Sequence, residues 1–278
     1  MHCRSCSTAL PETIAATPVR VGAVELEVFC RGAENAEELV FLHDLDYLNG
    51  ADYPFVQALA QRWRVSAPSH PGFGGSALPD GFDSVDDLVY VYLDWLQTLG
   101  SVHLLGAGFG GWLAAEIAVR CSHHLRTLTL VDALGIKVGD RTTTDIQDMF
   151  VLSPRELVEA CWHDPDLGER LMPLPSPGNA FNFDEDSLTR LLTNRRTAAL
   201  VGWSPFMHNP KLRGRLAHVD VPTLVVWGAS DRLVTPEYGQ AFASAIPGAR
   251  FETIGEAGHY PYLEKPTEFA NALEAFLR

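Results

Sequence analysis

The string Gly106-Ala107-Gly108-Phe109-Gly110-Gly111 stands between an apolar run, Val102-His103-Leu104-Leu105, and a stretch of helical spacing from Trp112 to Arg120. Glycine tolerates the backbone angles of a tight reversal, so the string predicts a strand that turns sharply into a helix, a junction typical of open α/β sheets. It matches Gly-x-Gly-x-x-Gly, in which the turn brings a pyrophosphate onto a helix N-terminus. Asp132 even ends the next apolar run, about 20 residues on, where that pattern expects an acid. The window alone reads as a nucleotide site.

The surrounding chain argues otherwise. Leu39 to Leu42, Val65 to Pro68, Leu128 to Val131 and Thr223 to Val226 are short apolar runs without alternation, as in strands buried on both faces. Helical spacing recurs at Phe55 to Trp63, Val85 to Leu99, Tyr238 to Ile246 and Pro266 to Leu277, and Pro18 to Phe29 alternates like a hairpin turning at Gly22. Strand and helix in succession predict an α/β fold with a mostly parallel sheet wrapped on both faces. From Gly135 to His218 no buried-strand run occurs, and prolines and helical stretches such as Ser187 to Leu200 predict a helical cap. The division expected is a flexible tail over 1–16, a core over 17–134 and 219–278, and a cap over 135–218. A dinucleotide fold opens on its fingerprint strand, whereas here about 100 residues of strands and helices come first.

Lys and Arg number 21 against 35 Asp and Glu, a formal charge of −14, which disfavours nucleic acid and anionic membrane surfaces as partners. No apolar run approaches the roughly 20 residues of a membrane-spanning helix. Five cysteines, an odd number with no basic-then-apolar leader, point to a reducing cytoplasm. Cys3 and Cys6, with His2 beside them, lack the further ligands a zinc site needs and read as a thiol-bearing tail.

Five separated motifs give the chain a resemblance to the α/β-hydrolase family over nearly its whole length. Phe41-Leu42-His43 looks like the strand that leads into an oxyanion loop, and Ser69 to Ser76 like the Pro-Gly-x-Gly-x-Ser loop. Asp83 to Leu96 resembles the helix before the nucleophile strand, and Pro222 to Asp231 the strand that delivers the catalytic acid. Gly258-His259 followed by Glu264-Lys265-Pro266 resembles the catalytic-histidine loop and final helix. Trp203 to Pro210 resembles the end of the cap in hydrolases that cleave small esters, lactones or the carbon-carbon bonds of ring-cleavage products. Within that resemblance Gly106-x-Gly108-x-Gly110 is the nucleophile elbow Gly-x-Ser-x-Gly with glycine at the serine position.

The resemblance implies a triad order of Gly108, Asp231 and His259, with backbone amides of Phe109 and Leu45 as oxyanion donors and no metal or cofactor. Gly108 has no side chain, so acyl-serine chemistry is excluded and His259 with Asp231 remains as a general-base pair. Asp132 reads rather as a loop or cap residue than as the acid. Where the family has His-Gly after the oxyanion strand, His43 is followed by Asp44; pointing inward it would oppose an oxyanion or serve as base or nucleophile, pointing outward it is a solvated loop acid. His43, Tyr47, Trp203, Met207, His208 and Tyr260 are expected to line the substrate pocket. Three functions stay open: an enzyme on a small carbonyl-containing substrate without a serine nucleophile, a serine hydrolase inactivated by a change to Gly108, or a pseudo-hydrolase that only binds a small molecule. Self-association is left open.

Overall fold

The computed structural model describes residues 16–45, 52–176, 178–179 and 182–278. The expected tail, with Cys3, Cys6 and His2, and the expected pocket residue Tyr47 lie outside these, apart from Ala16, which pairs with Phe29. Strands β1 (Ala16–Val21) and β2 (Val24–Arg31) form the hairpin, turning at Gly22 with φ 58°. Six more strands follow: β3 (Glu38–Leu42), β4 (Arg64–Pro68), β5 (Val102–Ala107), β6 (Leu125–Val131), β7 (Thr223–Gly228) and β8 (Arg250–Ile254). They form one sheet in the order β1-β2-β4-β3-β5-β6-β7-β8. The β1/β2 and β2/β4 pairs are antiparallel, and each pair from β4 to β8 is parallel.

The apolar runs become the inner strands because both of their faces are covered: each residue of β5 and of β7 is buried. Around them lie α1 (Asp52–Leu59), α2 (Val85–Leu99) and α3 (Gly108–Arg120), followed by α4 (Pro154–Cys161), α5 (Pro165–Leu171), α6 (Glu185–Gly202) and α7 (Leu212–Arg215) between β6 and β7. The chain closes with α8 (Pro236–Ser244), α9 (Pro261–Glu264) and α10 (Pro266–Leu277). Helix α2 packs on α3, while α1 packs on α9 and α10. Ser153 caps α4 by accepting the Glu156 amide, with Glu156 reaching back to the Ser153 amide, a local start signal the sequence carries openly. The architecture is an α/β-hydrolase fold, as the resemblance implies.

Strand β8 is not foreseen by the apolar pattern. Arg250-Phe251-Glu252-Thr253-Ile254 sits at the sheet edge with only Ile254 buried, so it has no continuous apolar run to announce it. The order of the strands reverses at β3, which has β4 on one side and β5 on the other. Open sheets bind ligands at the carboxyl ends beside such a reversal. Asp44 follows β3 there, and Gly108 follows β5.

Candidate active site

Gly108 has φ 50°, in the left-handed region that strains residues with a side chain. Its carbonyl accepts the Leu134 amide at 3.0 Å, which fixes the turn against the end of β6. Two residues on, a Cβ at Gly110 would overlap the carbonyl oxygens of Leu42 and His43, so glycine there allows α3 to lie directly against the exit of β3. That contact brings the first amides of α3 within reach of Asp44.

The Asp44 side chain points inward and is only 6% exposed. Its Oδ1 accepts the Phe109 amide at 2.7 Å, and its Oδ2 lies 3.4 Å from His259 Nε2. A Cβ built on Gly108 would overlap Asp44 Oδ1 and Cγ, so the carboxylate fills the space where a side chain at position 108 would begin. Burial alone would raise the Asp44 carboxyl, but His259 and the amides of Phe109 and Leu45 outweigh it and hold it below its ordinary 3.8. Both amides that the resemblance implies for an oxyanion thus face the protein's own carboxylate. The positive end of the α3 dipole adds to this. The amide that would meet a pyrophosphate in the nucleotide reading is taken by Asp44.

His43 stands behind this residue. Its Nδ1–H donates to the Asp44 carbonyl, its Nε2 accepts the His70 amide at 3.2 Å, and its ring stacks on His70 with centroids 3.9 Å apart. His70 Nε2 in turn donates to the His43 carbonyl at 2.8 Å, and the Tyr92 hydroxyl donates to His70 Nδ1. Burial lowers His43 to about 4 and holds His70 well below 6.5, so both rings are neutral at physiological pH. This network orients the Asp44 peptide without adding charge beside the carboxylate.

On the other side of Asp44, His259 Nδ1–H donates to Asp231 Oδ2 at 2.7 Å, and Asp231 Oδ1 accepts the amides of Leu233 and Val234 at 2.9 and 3.2 Å. Nε2 faces Asp44 at ion-pair distance but outside hydrogen-bond geometry. Burial would lower the imidazole, but Asp231 and then Asp44 raise it well above its ordinary 6.5. An imidazolium between two carboxylates is the result. The loop that carries it is pinned to the insertion: the His259 amide donates to the Cys161 carbonyl at 2.6 Å, and Glu264 accepts the amides of Gly258, His163 and Asp164.

Asp132 is wholly buried in the same cluster with φ 43°, and its Oδ1 accepts the Gly228 amide at 2.9 Å. Burial, and then the charge of Asp231, push its carboxyl well above 3.8. Asp132 sits in the bend after β6, and the acid bonded to His259 is Asp231. Donor atoms of Asp132, Asp231 and His259 lie within 4.8 Å of one another, close enough for a cation. The His259 nitrogen that faces the acids already donates to Asp231.

A cavity of about 30 Å³ abuts Asp44, walled among others by Leu45, Met149, Phe150, Leu157, Cys161, Arg195 and Tyr260. Of the expected lining residues Tyr260 is there. His43 stands behind Asp44, Met207 is fully buried, and His208 Nδ1 bonds the Phe206 carbonyl; none of these lines this cavity. Trp203, 51% exposed, reaches it only through its edge contact with Phe150. Arg195, on α6, has no ion-pair or hydrogen-bond partner among the described residues. Sequence reasoning passed over Met149, Leu157, Cys161 and Arg195 because they come from the insertion, whose only signals are helical spacing and prolines.

A family model described as the alpha/beta hydrolase family matches residues 39–272. The chain is 28% identical over 234 residues to a 2-hydroxy-6-oxononadienedioate/2-hydroxy-6-oxononatrienedioate hydrolase of Burkholderia vietnamiensis, covering 78% of this chain and 77% of that one. It is 24% identical over 253 residues to the pimeloyl-[acyl-carrier protein] methyl ester esterase of Serratia marcescens, covering 88% and 95%. Among solved structures, the 2-hydroxy-6-oxo-6-phenylhexa-2,4-dienoate hydrolase from Rhodococcus sp. strain RHA1 superposes with TM-score 0.77 at 18% identity, covering 96% of this chain and 99% of that one. No helix among the described residues is long and apolar enough to cross a membrane.

Proposed function

Because this chain belongs to the alpha/beta hydrolase family, we propose that it is an enzyme acting on a small carbonyl-containing substrate, an ester, a lactone or a carbon-carbon bond, without an acyl-serine intermediate. The observation that carries the proposal is the Asp44 carboxylate, which fills the side-chain space of residue 108 and faces His259 at 3.4 Å.

The roles within the pair follow from charge. His259 was expected as the base with Asp231, but an imidazole held protonated by two carboxylates has a proton to give and none to take. Asp44, ionised in the resting site, is the acceptor: it takes a proton from a water or an acidic substrate position, and His259 Nε2–H delivers one to the oxygen or carbon of the departing group. Protonating Asp44 also neutralises the anion on the Phe109 and Leu45 amides, which frees them for a developing substrate oxyanion. Asp231, braced by two backbone amides, and Asp132 hold the imidazolium from behind. The Arg195 guanidinium in the cavity wall, without a partner among the described residues, suits a substrate that bears a carboxylate, as the dienedioate named for the Burkholderia relative does.

The test is a panel of 2-hydroxy-6-oxo-dienoates and short p-nitrophenyl esters followed by absorbance with the unaltered protein, Asp44→Asn and His259→Gln. Steady turnover without a burst is expected from the parent, with kcat lowered roughly 10²- to 10⁴-fold in each variant. Full activity in Asp44→Asn would sink the proposal. A second reading, binding without chemistry, draws on the same carboxylate, since an oxyanion site filled by the protein's own anion needs no reacting substrate. Saturable binding of these compounds with no turnover, unchanged in Asp44→Asn, would favour it. The reading of a serine hydrolase disabled by one change is disfavoured, because restoring a side chain at 108 collides with Asp44.

A further inference from the structure

At the end of α3 opposite the elbow, Cys121 closes the helix with its amide donating to the Ile117 carbonyl, and a 3-10 turn, Ser122–His124, leads into β6. The turn gathers three metal-ligating side chains. Cys121 Sγ lies 3.5 Å from His123 Nδ1 and 3.6 Å from Nε2, and the His123 and His124 rings are 4.2 Å apart at 44°. One donor atom from each of the three lies within 4.8 Å of the others. We propose that Cys121, His123 and His124 form a surface site for a zinc-like divalent transition metal, remote from the active site.

Cys121 Sγ lies about equally near both His123 nitrogens, so a turn of the exposed His123 ring aims one of them at a point shared with the sulfur. With Zn–S near 2.3 Å and Zn–N near 2.0 to 2.1 Å, the sulfur-to-nitrogen edge of a tetrahedron is roughly 3.6 Å. One thiolate and two imidazoles form a set that selects zinc or cobalt over magnesium or calcium, and the fourth position is left for water. His123 is exposed, with Cys121 and His124 half-buried, so a cation reaches all three from solvent. Neither imidazole has another hydrogen-bond or ion-pair partner among the described residues. The neighbouring cation, Arg120, is engaged by Glu116 and Asp86, and the negative end of the α3 dipole favours positive charge here. Burial raises the Cys121 thiol above its ordinary value, so it is not a reactive thiolate by itself. Binding the metal sends its proton to solvent and leaves a thiolate ligand.

Cobalt(II) is the probe, titrated into the full chain under a non-thiol reductant. One equivalent is expected to give thiolate-to-cobalt charge-transfer bands with the intense visible bands of a tetrahedral site, displaced by zinc. The bands persist in a Cys3→Ser/Cys6→Ser variant and vanish in Cys121→Ser and in His123→Ala/His124→Ala, with circular dichroism verifying that each is folded. No bands, or bands that follow Cys3 and Cys6 instead, overturn the site. Bands that survive loss of both histidines overturn it equally.

Discussion

A side chain at position 108 and the Asp44 carboxylate cannot share the space they meet in here, so adding the first displaces the second. Gly108→Ser alone therefore confronts Asp44 and leaves His259 locked between two acids. Adding Asp44→Gly clears the space, frees the Phe109 amide and removes one of the anions that raise His259, whose pKa falls towards its ordinary range. With p-nitrophenyl acetate the double variant is expected to show burst release of nitrophenol, one equivalent per site, and Gly108→Ser none; a burst in the single variant would show that Asp44 yields freely. The glycine is plain in the sequence, but its partner is not. An acid following an apolar run in a chain of charge −14 has the same one-dimensional signature whether it is solvated or turned inward. Burial together with two amides and an imidazolium decides the matter, and three of these four come from elsewhere in the fold.

At the scale of elements, the site depends on how closely α3 approaches β3. Gly110 permits that approach, because any Cβ there meets backbone oxygens that cannot swing away. Gly110→Ala is expected to push α3 outward, lengthen the Phe109 to Asp44 bond and cost about 1 to 3 kcal/mol of stability. Urea denaturation measures the loss, and an unchanged midpoint would show that the two elements have slack between them. The strand and helix on either side of the glycine string were legible from their periodicity, as was the hairpin at Gly22. Edge strand β8 was not, since an exposed strand needs no apolar run. The Glu264 clamp was also hidden: its three amide partners, on Gly258, His163 and Asp164, are up to 101 residues away along the chain.

For the molecule as a whole, the site makes a specific statement about pH. Asp44 titrates below 3.8 and His259 well above 6.5, so both are charged across the interval between. The stability contributed by Asp44 is complete above its ordinary value and lost as pH falls through its lowered folded value. That contributed by His259 is complete below 6.5 and lost as pH rises through its raised folded value. Asp132 has the same sign as His259: its contribution is complete below 3.8 and is lost progressively as pH rises from there through its raised folded value. Thermal stability measured against pH is accordingly expected to fall in acid as Asp44 is protonated and to decline as pH rises through neutrality, while kcat/KM falls on the acid side with Asp44 and on the alkaline side with His259. A kcat/KM that climbs through pH 6.5 would identify His259 as an ordinary free base and reverse its role.

Periodicity, glycine placement and the order of short motifs along the chain were enough to determine the α/β class and most of its strands and helices, and to single out Gly108, Asp231 and His259 as the residues to examine. These are properties of local spacing and chain order, which one dimension retains. What the carboxyl edge of the sheet assembles is a different matter. Asp44, Asp132, Asp231 and His259 reach it from four separate strand ends, and the shifts of Asp44, Asp132 and His259 are set by burial and by neighbours within this cluster. Protonation depends on distance through space, so the sequence could name an acid and a histidine as a pair, but only the folded arrangement raises that histidine between two carboxylates and places Asp44 where a Cβ at position 108 would lie.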